Sequence, residues 1–340
     1  MKVGIVGLGR MGAAIARRLG LGGHSCIVFD IDDALVAEVA ADGAQGATDL
    51  ETLVESFEDD PRIIWLMVPA SAVESVLDEL VPHLSPHDIV IDGGNTNWLD
   101  DLDRAQALGA QGIRLLDVGT SGGVWGLDRG YCLMVGGDTD AVATITPILD
   151  TLSPGIEAAP RTNERVGDPT PGETGWLHCG STGSGHFVKM VHNGIEYGMM
   201  AALAEGLALL TAASGGVTDR LEGSGTEFVR AVERFDFRIE SITELWRRGS
   251  VVDSWLLDLA TRALAEDASL DSYGVRVSDS GEGRWASQTG IEFGLPMPVL
   301  SAALQARFAS QDSTDTGNRI LSALRHQFGG HEESLVPDAN

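Results

Sequence analysis

The side chains best suited to chemistry in this sequence are concentrated in residues 183–197. If the segment is helical, five polar residues share one face: Lys189, His192, Asn193, Glu196 and Tyr197. The flanking residues Phe187, Val188, Val191 and Ile195 are apolar, so we predict a mostly buried helix. A buried polar face needs hydrogen-bonding partners, which a polar substrate would supply. The simpler alternative is the solvated face of an amphipathic helix, but lysine is otherwise almost absent from the chain.

A second candidate site begins at residue 7, where glycines follow a short apolar strand at fixed spacing. The run Gly7-Leu8-Gly9-Arg10-Met11-Gly12 comes after Val3–Val6 and opens a helical pattern. Gly7 permits a tight turn, Gly9 lets the backbone approach a pyrophosphate, and Gly12 lets helix and strand pack closely. The amides and the dipole at the helix N-terminus suit phosphate groups. We therefore predict a dinucleotide-binding site at residues 7–12.

The acidic residue that ends the second predicted strand indicates which dinucleotide binds. Asp30 lies near the spacing expected for a carboxylate that bonds the ribose 2′-hydroxyl. Such a carboxylate repels a 2′-phosphate, and the residues that follow, Ile31, Asp32 and Asp33, include no basic side chain. The pattern favours NAD over NADP, although an aspartate at a strand end can also be a plain turn residue.

These sites require elements that hold them, and the first half of the chain alternates apolar strands with helices. We predict strands at 3–6, 25–30, 62–68, 88–92, 113–118 and 131–135, and helices at 10–20, 32–41, 70–80 and 98–109. Continuous apolar strands separated by helices indicate a parallel sheet covered on both faces. The predicted fold class is α/β, with a Rossmann-type doubly wound sheet followed by an all-α domain.

The second half of the chain is helical in pattern. Residues 161–184 lose periodicity, which predicts a dinucleotide-binding domain at 1–165 and a helical substrate-binding and oligomerisation domain at 166–340. We interpret residues 165–179 as a surface insertion. Helices are predicted at 185–214, 224–235, 241–247, 251–266, 280–292 and 297–309, with a last helix to about Phe328 that Gly329-Gly330 ends.

The net charge of −27 excludes some partners. So acidic a surface repels nucleic acid and anionic membranes. Lys2 and Lys189 are the two lysines among 23 basic residues, and many carboxylates with little lysine suggest adaptation to a salty cytoplasm.

Three scattered cysteines form no disulfide framework or metal knuckle. With no signal-peptide pattern, and with Glu196 and Glu205 interrupting the apolar stretch 194–213, we expect a cytoplasmic protein with a buried helix there.

The segment GSGHFVKMVHNGIEY resembles the catalytic-helix motif of the decarboxylating 6-phosphogluconate dehydrogenases, within the β-hydroxyacid dehydrogenase superfamily. Residues 7–12, Asp92-Gly93-Gly94-Asn95 and Gly119-Thr120-Ser121-Gly122-Gly123 match further motifs in order. Gly283-Arg284-Trp285 matches a later one in which long family members usually carry lysine. The length resembles the short branch, as does Val124-Trp125 after the two glycines.

The resemblance implies an oxidative decarboxylation of 6-phosphogluconate to ribulose 5-phosphate with NAD, without a metal. Lys189 would be the general base for the C3 hydroxyl, and it must be neutral, with a pKa far below about 10.4, which burial can achieve. Glu196 would protonate C1, while His192 and Asn193 orient the substrate. Asn95, Ser121, Gly122 and Gly123 would line the cleft, with Val68 and Asn95 also at the cofactor.

The resemblance also implies cationic groups for a sugar phosphate. Arg284 and Arg307 would bind the phosphate, with Tyr197 nearby, because a guanidinium can hold phosphate through two hydrogen bonds. Surface ion pairs are the alternative role for these arginines. Arg325 and His331 match family residues that reach into a neighbouring subunit's site. We therefore expect a homodimer or homotetramer.

Two other functions remain open on the sequence. A β-hydroxyacid dehydrogenase for 3-hydroxyisobutyrate or tartronate semialdehyde would share the glycine turn, the Ser-Gly-Gly and the Lys-Asn spacing. Such an enzyme would need neither Glu196 nor the later arginines. A dinucleotide-binding regulator without catalysis would need the glycine turn alone and would be indifferent to Lys189.

Overall fold

The computed structural model describes residues 1–58, 61–216, 235–311 and 315–329. The chain divides into two compact units, Met1–His192 and Asn193–Asn340. The division falls later than the predicted boundary after residue 165. Of the predicted helix 224–235, all but Phe235 lies outside the described residues.

The first unit is built on an eight-stranded sheet in the order β3-β2-β1-β4-β5-β6-β7-β8. The strands are β1 (Lys2–Val6), β2 (Ser25–Phe29), β3 (Gln45–Gly46), β4 (Ile63–Leu66), β5 (Ile89–Asp92), β6 (Arg114–Ser121), β7 (Cys132–Gly137) and β8 (Trp176–Gly180). The apolar side chains of β4 and β5 are buried throughout, as expected for central strands covered on both faces. The predicted Rossmann-type doubly wound fold is confirmed.

The expectation of an all-parallel sheet is wrong at one pair, because β6 and β7 are antiparallel. Only residues 122–131 connect them, and these contain two short helical turns. A parallel pair needs a longer crossover that returns the chain to the starting edge.

Helices cover both faces of this sheet. They are α1 (Arg10–Leu21), α2 (Asp33–Ala41), α3 (Leu50–Glu55), α4 (Val73–Leu80), α5 (Trp98–Gly109), α6 (Gly126–Arg129), α7 (Thr139–Leu152) and α8 (Pro171–Thr174). Aspartate or asparagine side chains cap several N-termini by accepting from backbone amides, at Asp32, Asp49, Asn97 and Asp138. Helices α3 and α7 were absent from the sequence-based prediction.

The predicted surface insertion at 165–179 is wrong in its last part. Residues Trp176–Gly180 pair in parallel with β7 and form the edge strand of the sheet. Trp176 is buried, and its Nε1 donates to Asp150 Oδ1 at 2.7 Å. Before the strand, Arg161 Nε donates to Glu173 Oε1 at 2.7 Å. A buried tryptophan, rather than a hydrophobic run, therefore marks this strand.

One long helix, α9 (Ser184–Thr211), begins in the first unit and ends in the second. The described part of the second unit is otherwise helical, with α10 (Ile239–Trp246), α11 (Trp255–Glu266), α12 (Glu282–Glu292), α13 (Pro298–Ala309) and α14 (Asp315–Gly329). The all-α prediction is confirmed for these residues. Apolar stripes at helical spacing made α10 and α11 recognisable in the sequence.

The prediction that α9 is mostly buried is wrong. Val188, Val191, Ile195 and Met199 are exposed along one side, and the polar side carrying Lys189 and Asn193 is the buried one. By length and composition alone, Ser184–Ser214 is long and apolar enough to cross a membrane, with 11% of its apolar window buried. One such helix is weak evidence for a membrane span, and Lys189 and Glu196 lie on it.

Candidate active site

The candidate residues of the first unit follow strands that end at one edge of the sheet. Strands β1, β2, β4, β5 and β6 run parallel, so their carboxyl ends lie together. The segments that follow these ends hold the glycine turn, Asp30, Val68 and Asn95, while Ser121 closes β6. The chain reverses its direction across the sheet between β1 and β4, which is where doubly wound folds bind ligands.

The glycine turn has the geometry that a dinucleotide requires. Gly7 adopts a φ of +93°, and a Cβ there would lie 2.7 Å from the carbonyl oxygen of Met67 and 2.9 Å from Val68 Cγ1. A Cβ on Gly12 would lie 1.9 Å from the carbonyl oxygen of Gly7. A Cβ on Gly9 would point into open space, and no side chain caps α1 at this N-terminus. The residues present therefore fit a pyrophosphate over Gly9.

Asp30 lies beside this turn. Its Oδ2 accepts from the backbone amide of Leu8 at 2.5 Å, and its Oδ1 accepts from the amide of Asp32 at 2.9 Å. The carboxylate is thus fixed between the glycine turn and the start of α2. Arg10 is exposed on the first turn of α1, and Met11 is half-buried.

Lys189 is buried against β6, with 8% of its surface exposed. A Cβ on Gly119 would lie 2.3 Å from Lys189 Cβ, so glycine is required where the lysine packs. A Cβ on Gly185 would lie 2.4 Å from the Met134 carbonyl oxygen, so Gly185 lets α9 begin directly against the sheet. One turn further on, His192 Nε2 lies 3.2 Å from Ser121 Oγ. Lys189, His192 and the segment Gly119–Gly123 therefore meet in the first unit.

A buried ion-pair network anchors the start of α9. His186 Nδ1 lies 2.7 Å from Asp101 Oδ2, and both side chains are buried. Burial alone would lower the pKa of His186, but the hydrogen bond to Asp101 and the charges of Asp101, Asp92 and Asp117 raise that pKa to about 9. Burial also raises the pKa of Asp101, and the imidazolium opposes this. The proton accordingly resides on His186, as an ion pair with Asp101.

Asp117 ties the same turn to β6. Its Oδ1 accepts from the amide of Gly183 at 2.7 Å, and its Oδ2 accepts from the amide of His186 at 2.9 Å. These are amides at the N-terminus of α9, where a carboxylate complements the helix dipole. Asp117 and Asp101 were not among the residues predicted from the sequence. A charged residue inside the apolar run Leu115-Leu116-Asp117-Val118 was a signal that could have found Asp117.

Three side chains of this network have the atoms of a metal site, but their chemistry is that of ion pairs. Ligand atoms of Asp92, Asp101 and His186 lie within 4.8 Å of one another. The guanidinium of Arg104 already lies 3.3 Å from Asp92 Oδ2 and 3.6 Å from Asp101 Oδ1. Arg104 thus supplies positive charge to both carboxylates, and a metal ion would have to displace the proton between His186 and Asp101.

In the second unit, a buried polar cluster surrounds Asn193. Asn193 Nδ2 donates to Glu282 Oε1 at 2.8 Å, and Ser280 Oγ donates to Glu282 Oε2 at 2.6 Å. The hydroxyl of Tyr197 accepts from the amide of Ser280 at 3.2 Å. Asn193, Tyr197 and Glu282 are buried, whereas Glu196 is half-buried. Glu282 was not among the residues predicted from the sequence, although it lies in the glycine-flanked run Ser280-Gly281-Glu282-Gly283.

The two predicted phosphate-binding arginines flank this cluster. Arg284 forms a two-bond pair with Asp279, at 2.8 and 3.0 Å, and lies 4.3 Å from the ring centre of Phe308. Arg307 stacks on the Tyr197 ring at 3.5 Å and donates to the Ser278 carbonyl oxygen at 2.8 Å. The hydrogen bond from Arg284 lowers the pKa of Asp279. Both guanidinium groups are thus held near Tyr197.

The remaining predicted residues divide into those the structure describes and those it does not. Gly122 and Gly123 have positive φ values of +136° and +55° at the end of β6, and Asn95 is exposed after β5. Arg325 lies in α14, but its side chain lies outside the described residues, as does the whole of His331.

Sheet order, glycine turn and carboxylate at the end of β2 define a dinucleotide-binding dehydrogenase fold. Family models agree: residues 2–159 match the NAD binding domain of 6-phosphogluconate dehydrogenase, and residues 185–223 match the 6-phosphogluconate dehydrogenase C-terminal domain. The chain belongs to the 6-phosphogluconate dehydrogenase family.

Individual relatives support this placement. An NAD(+)-dependent decarboxylating 6-phosphogluconate dehydrogenase of Haloferax volcanii is 38% identical over 340 residues, covering 99% of this chain and 100% of that protein. YqeC of Bacillus subtilis is 38% identical over 332 residues, covering 97% of this chain and 98% of that protein. The fold matches Plasmodium falciparum 6-phosphogluconate dehydrogenase, described with cofactor NADP+, with a TM-score of 0.73 at 22% identity, covering 100% of this chain and 67% of that one.

Proposed function

We propose that this chain oxidatively decarboxylates 6-phosphogluconate to ribulose 5-phosphate and CO₂ with NAD. The observation that carries the proposal is the placement of Lys189. It is a buried lysine packed on Gly119, in a chain with one other lysine, and it lies one helical turn before the buried Asn193. The full-length similarity to the Haloferax volcanii enzyme supports the same reaction.

Lys189 is the general base in this proposal and takes the proton of the C3 hydroxyl. When bound, NAD supplies the acceptor for the hydride that leaves C3. The resulting β-keto acid loses CO₂, and the Lys189 ammonium then donates a hydrogen bond to the C3 oxygen, where negative charge develops. Glu196, two turns further along α9, protonates C1 of the enediol. His192, held by Ser121, and Asn193 orient the substrate's hydroxyl and carboxylate groups.

Arg284 and Arg307 are proposed to bind the phosphate, with Tyr197 beside them. Guanidinium groups suit phosphate because they offer parallel donors and a permanent charge. Asp279 accepts from the two donors of Arg284, Nε and Nη2, that a phosphate would take. The assignment of Arg325 and His331 to a neighbouring subunit's site stays a prediction.

The preference for NAD over NADP follows from Asp30. Its carboxylate is fixed by the amides of Leu8 and Asp32, and Asp32 and Asp33 add negative charge next to it. A 2′-phosphate there would meet three carboxylates and no cation in the sequence that follows β2. The NAD(+)-dependent relative supports this choice.

The exposed apolar side of α9 supports a homo-oligomer of two or four copies. Val188, Val191, Ile195 and Met199 form a continuous strip at helical spacing, and such strips are normally covered. Light scattering of the purified protein tests this assembly, and a monomer would contradict it. A cytoplasmic location stays an expectation.

A substrate panel tests the proposed function. Wild-type protein is assayed with 6-phosphogluconate, gluconate and 3-hydroxyisobutyrate, each with NAD and with NADP. We expect turnover of 6-phosphogluconate with NAD, and at least roughly a hundredfold loss in Lys189→Met, the scale of a general base. Turnover of 3-hydroxyisobutyrate alone would favour the small-acid dehydrogenases. NAD binding without any turnover would favour a regulator.

A further inference from the structure

A buried carboxylate in the second unit has no role in the reaction described so far. Glu282 begins α12 and is 1% exposed. Its two oxygens accept from different side chains, Oε1 from Asn193 Nδ2 and Oε2 from Ser280 Oγ. Placing a charge in the interior is costly unless hydrogen bonds compensate it, so a buried carboxylate at this position needs an explanation.

The contact with Asn193 fixes which way the side-chain amide faces. An asparagine amide has a donor end and an acceptor end, whereas an ionised carboxylate only accepts. Glu282 therefore selects the orientation with Nδ2 towards itself, at 2.8 Å, and directs Oδ1 away. A neutral amide or hydroxyl in place of Glu282 can both donate and accept, so it would allow either orientation of the Asn193 amide.

Two glycines next to Glu282 in the sequence make its contact with Asn193 possible. Gly281 adopts a φ of +103° and turns the chain into α12, which other residues would do only with strain. A Cβ on Gly283 would lie 2.7 Å from the Tyr197 ring. Both glycines thus let the segment carrying Glu282 approach α9 at Asn193 and Tyr197. The segment also carries Arg284, which the proposed function assigns to the phosphate.

We propose that Glu282 is a positioning residue that orients the Asn193 amide so that its Oδ1 accepts a hydrogen bond from a substrate hydroxyl. The inference rests on the proposed function, because it assigns the sugar acid as the donor. A substrate hydroxyl can donate as well as accept, and the orientation imposed by Glu282 offers it the acceptor Oδ1. Losing this orientation of the Asn193 amide would weaken binding of the substrate and of the transition state. The dinucleotide site lies in the first unit and would be unaffected.

A double-mutant cycle separates this role from a merely structural one. The variants are Glu282→Leu, Asn193→Ala and the double variant, assayed for kcat and KM with 6-phosphogluconate and NAD. We expect Glu282→Leu to lower kcat/KM about 10- to 100-fold, as for loss of one buried hydrogen bond to a charged group. In the Asn193→Ala background the same substitution should add less than about twofold, because the two residues act as a unit.

Controls keep the inference falsifiable. Glu292→Leu makes the same change at the exposed end of α12 and should leave kcat/KM unchanged. NADH affinity should be the same in every variant. If Glu282→Leu does not fold, Glu282→Gln replaces it. We expect Glu282→Gln to lower kcat/KM several-fold, and we expect no such loss in the Asn193→Ala background.

Three results would overturn the inference. A loss that is equal in both backgrounds would make Glu282 structural. No loss with Glu282→Leu, or with Glu282→Gln where it serves instead, would remove any role for Glu282 and leave the proposed function intact. Wild-type protein inactive on 6-phosphogluconate would overturn the proposed function and the inference together.

Discussion

Arg284 is the residue through which phosphate recognition can be tested most selectively. It is paired with Asp279 through two hydrogen bonds and should exchange that partner for the substrate phosphate. Arg284→Gln should raise the KM for 6-phosphogluconate about 10- to 100-fold and change kcat little, because the contact is present before and during the reaction. Steady-state kinetics with varied substrate measure both constants.

Arg248→Gln is the matched control for this prediction. Arg248 is exposed and pairs with Glu244 at 2.5 Å, as surface arginines commonly do. Both constants should stay within twofold of wild type. An Arg284→Gln variant with unchanged KM would show that Arg284 is another surface ion pair.

At this scale the sequence identifies residues whose type is unusual and misses those whose partners are remote. Lys189 and the glycine turn stand out because lysine is rare in this chain and the glycine spacing is specific. Glu282 and Asp101 are ordinary acidic residues among 50, and only their contacts with Asn193 and His186 distinguish them. Pairs separated by 85 or more positions leave no local pattern.

At the scale of elements, the close approach of α9 to β6 places Lys189. Gly119→Ala would put a Cβ 2.3 Å from Lys189 Cβ, and neither backbone can yield freely at a buried strand. We expect turnover to fall at least about 10-fold and the free energy of unfolding to fall by about 1–3 kcal/mol. Enzyme assays and urea unfolding measure the two effects.

Gly20→Ala provides the comparison, because a Cβ on Gly20 meets nothing within 4 Å and alanine favours the helix. That variant should keep full activity, and its free energy of unfolding should rise by up to about 1 kcal/mol. Full activity in Gly119→Ala as well would contradict the account of how Lys189 is held.

The His186–Asp101 ion pair should make stability depend on alkaline pH. Burial lowers the pKa of His186, but the hydrogen bond to Asp101 and the charges of Asp101, Asp92 and Asp117 raise it to about 9 in the folded protein, above its ordinary 6.5. The stability that protonated His186 contributes is therefore fully present below pH 6.5 and is lost as pH rises through 9. The stability difference between wild type and His186→Gln should shrink by on the order of 3 kcal/mol from pH 6.5 to pH 10.

Urea unfolding of both proteins at several pH values measures this difference. Taking the difference cancels the contributions of groups that titrate identically in the two proteins. A difference that stays constant across the range would show that His186 is not protonated in the folded state.

Elements with a clear period were predictable, and those defined by pairing were not. The helix Trp98–Gly109 was located at both of its ends from its apolar spacing. Strand β8 was missed because its residues Trp176–Gly180 contain a histidine, a cysteine and a glycine. The direction of β7 depends on the length of its connection to β6, which the predicted strand bounds overestimate because β6 continues to Ser121.

At the scale of the whole molecule, the net charge of −27 should make stability depend on salt. Self-repulsion among 50 acidic residues is screened as the Debye length falls from about 10 Å at 0.1 M to about 3 Å at 1 M. We expect the thermal midpoint to rise between 0.1 M and 1 M KCl, most steeply at the lower concentrations. A midpoint independent of KCl would show that the acidic surface is not adapted to salt.

The proposed reaction requires that hydride transfer and loss of CO₂ occur in the same turnover of 6-phosphogluconate. The most direct measurement follows NADH and labelled CO₂ together from carboxyl-labelled 6-phosphogluconate and NAD in high-potassium buffer, with Lys189→Met in parallel. We expect equal amounts of NADH and CO₂ from wild-type protein and neither product above background from the variant. NADH without CO₂, or no turnover of 6-phosphogluconate with NAD, would contradict the proposed reaction.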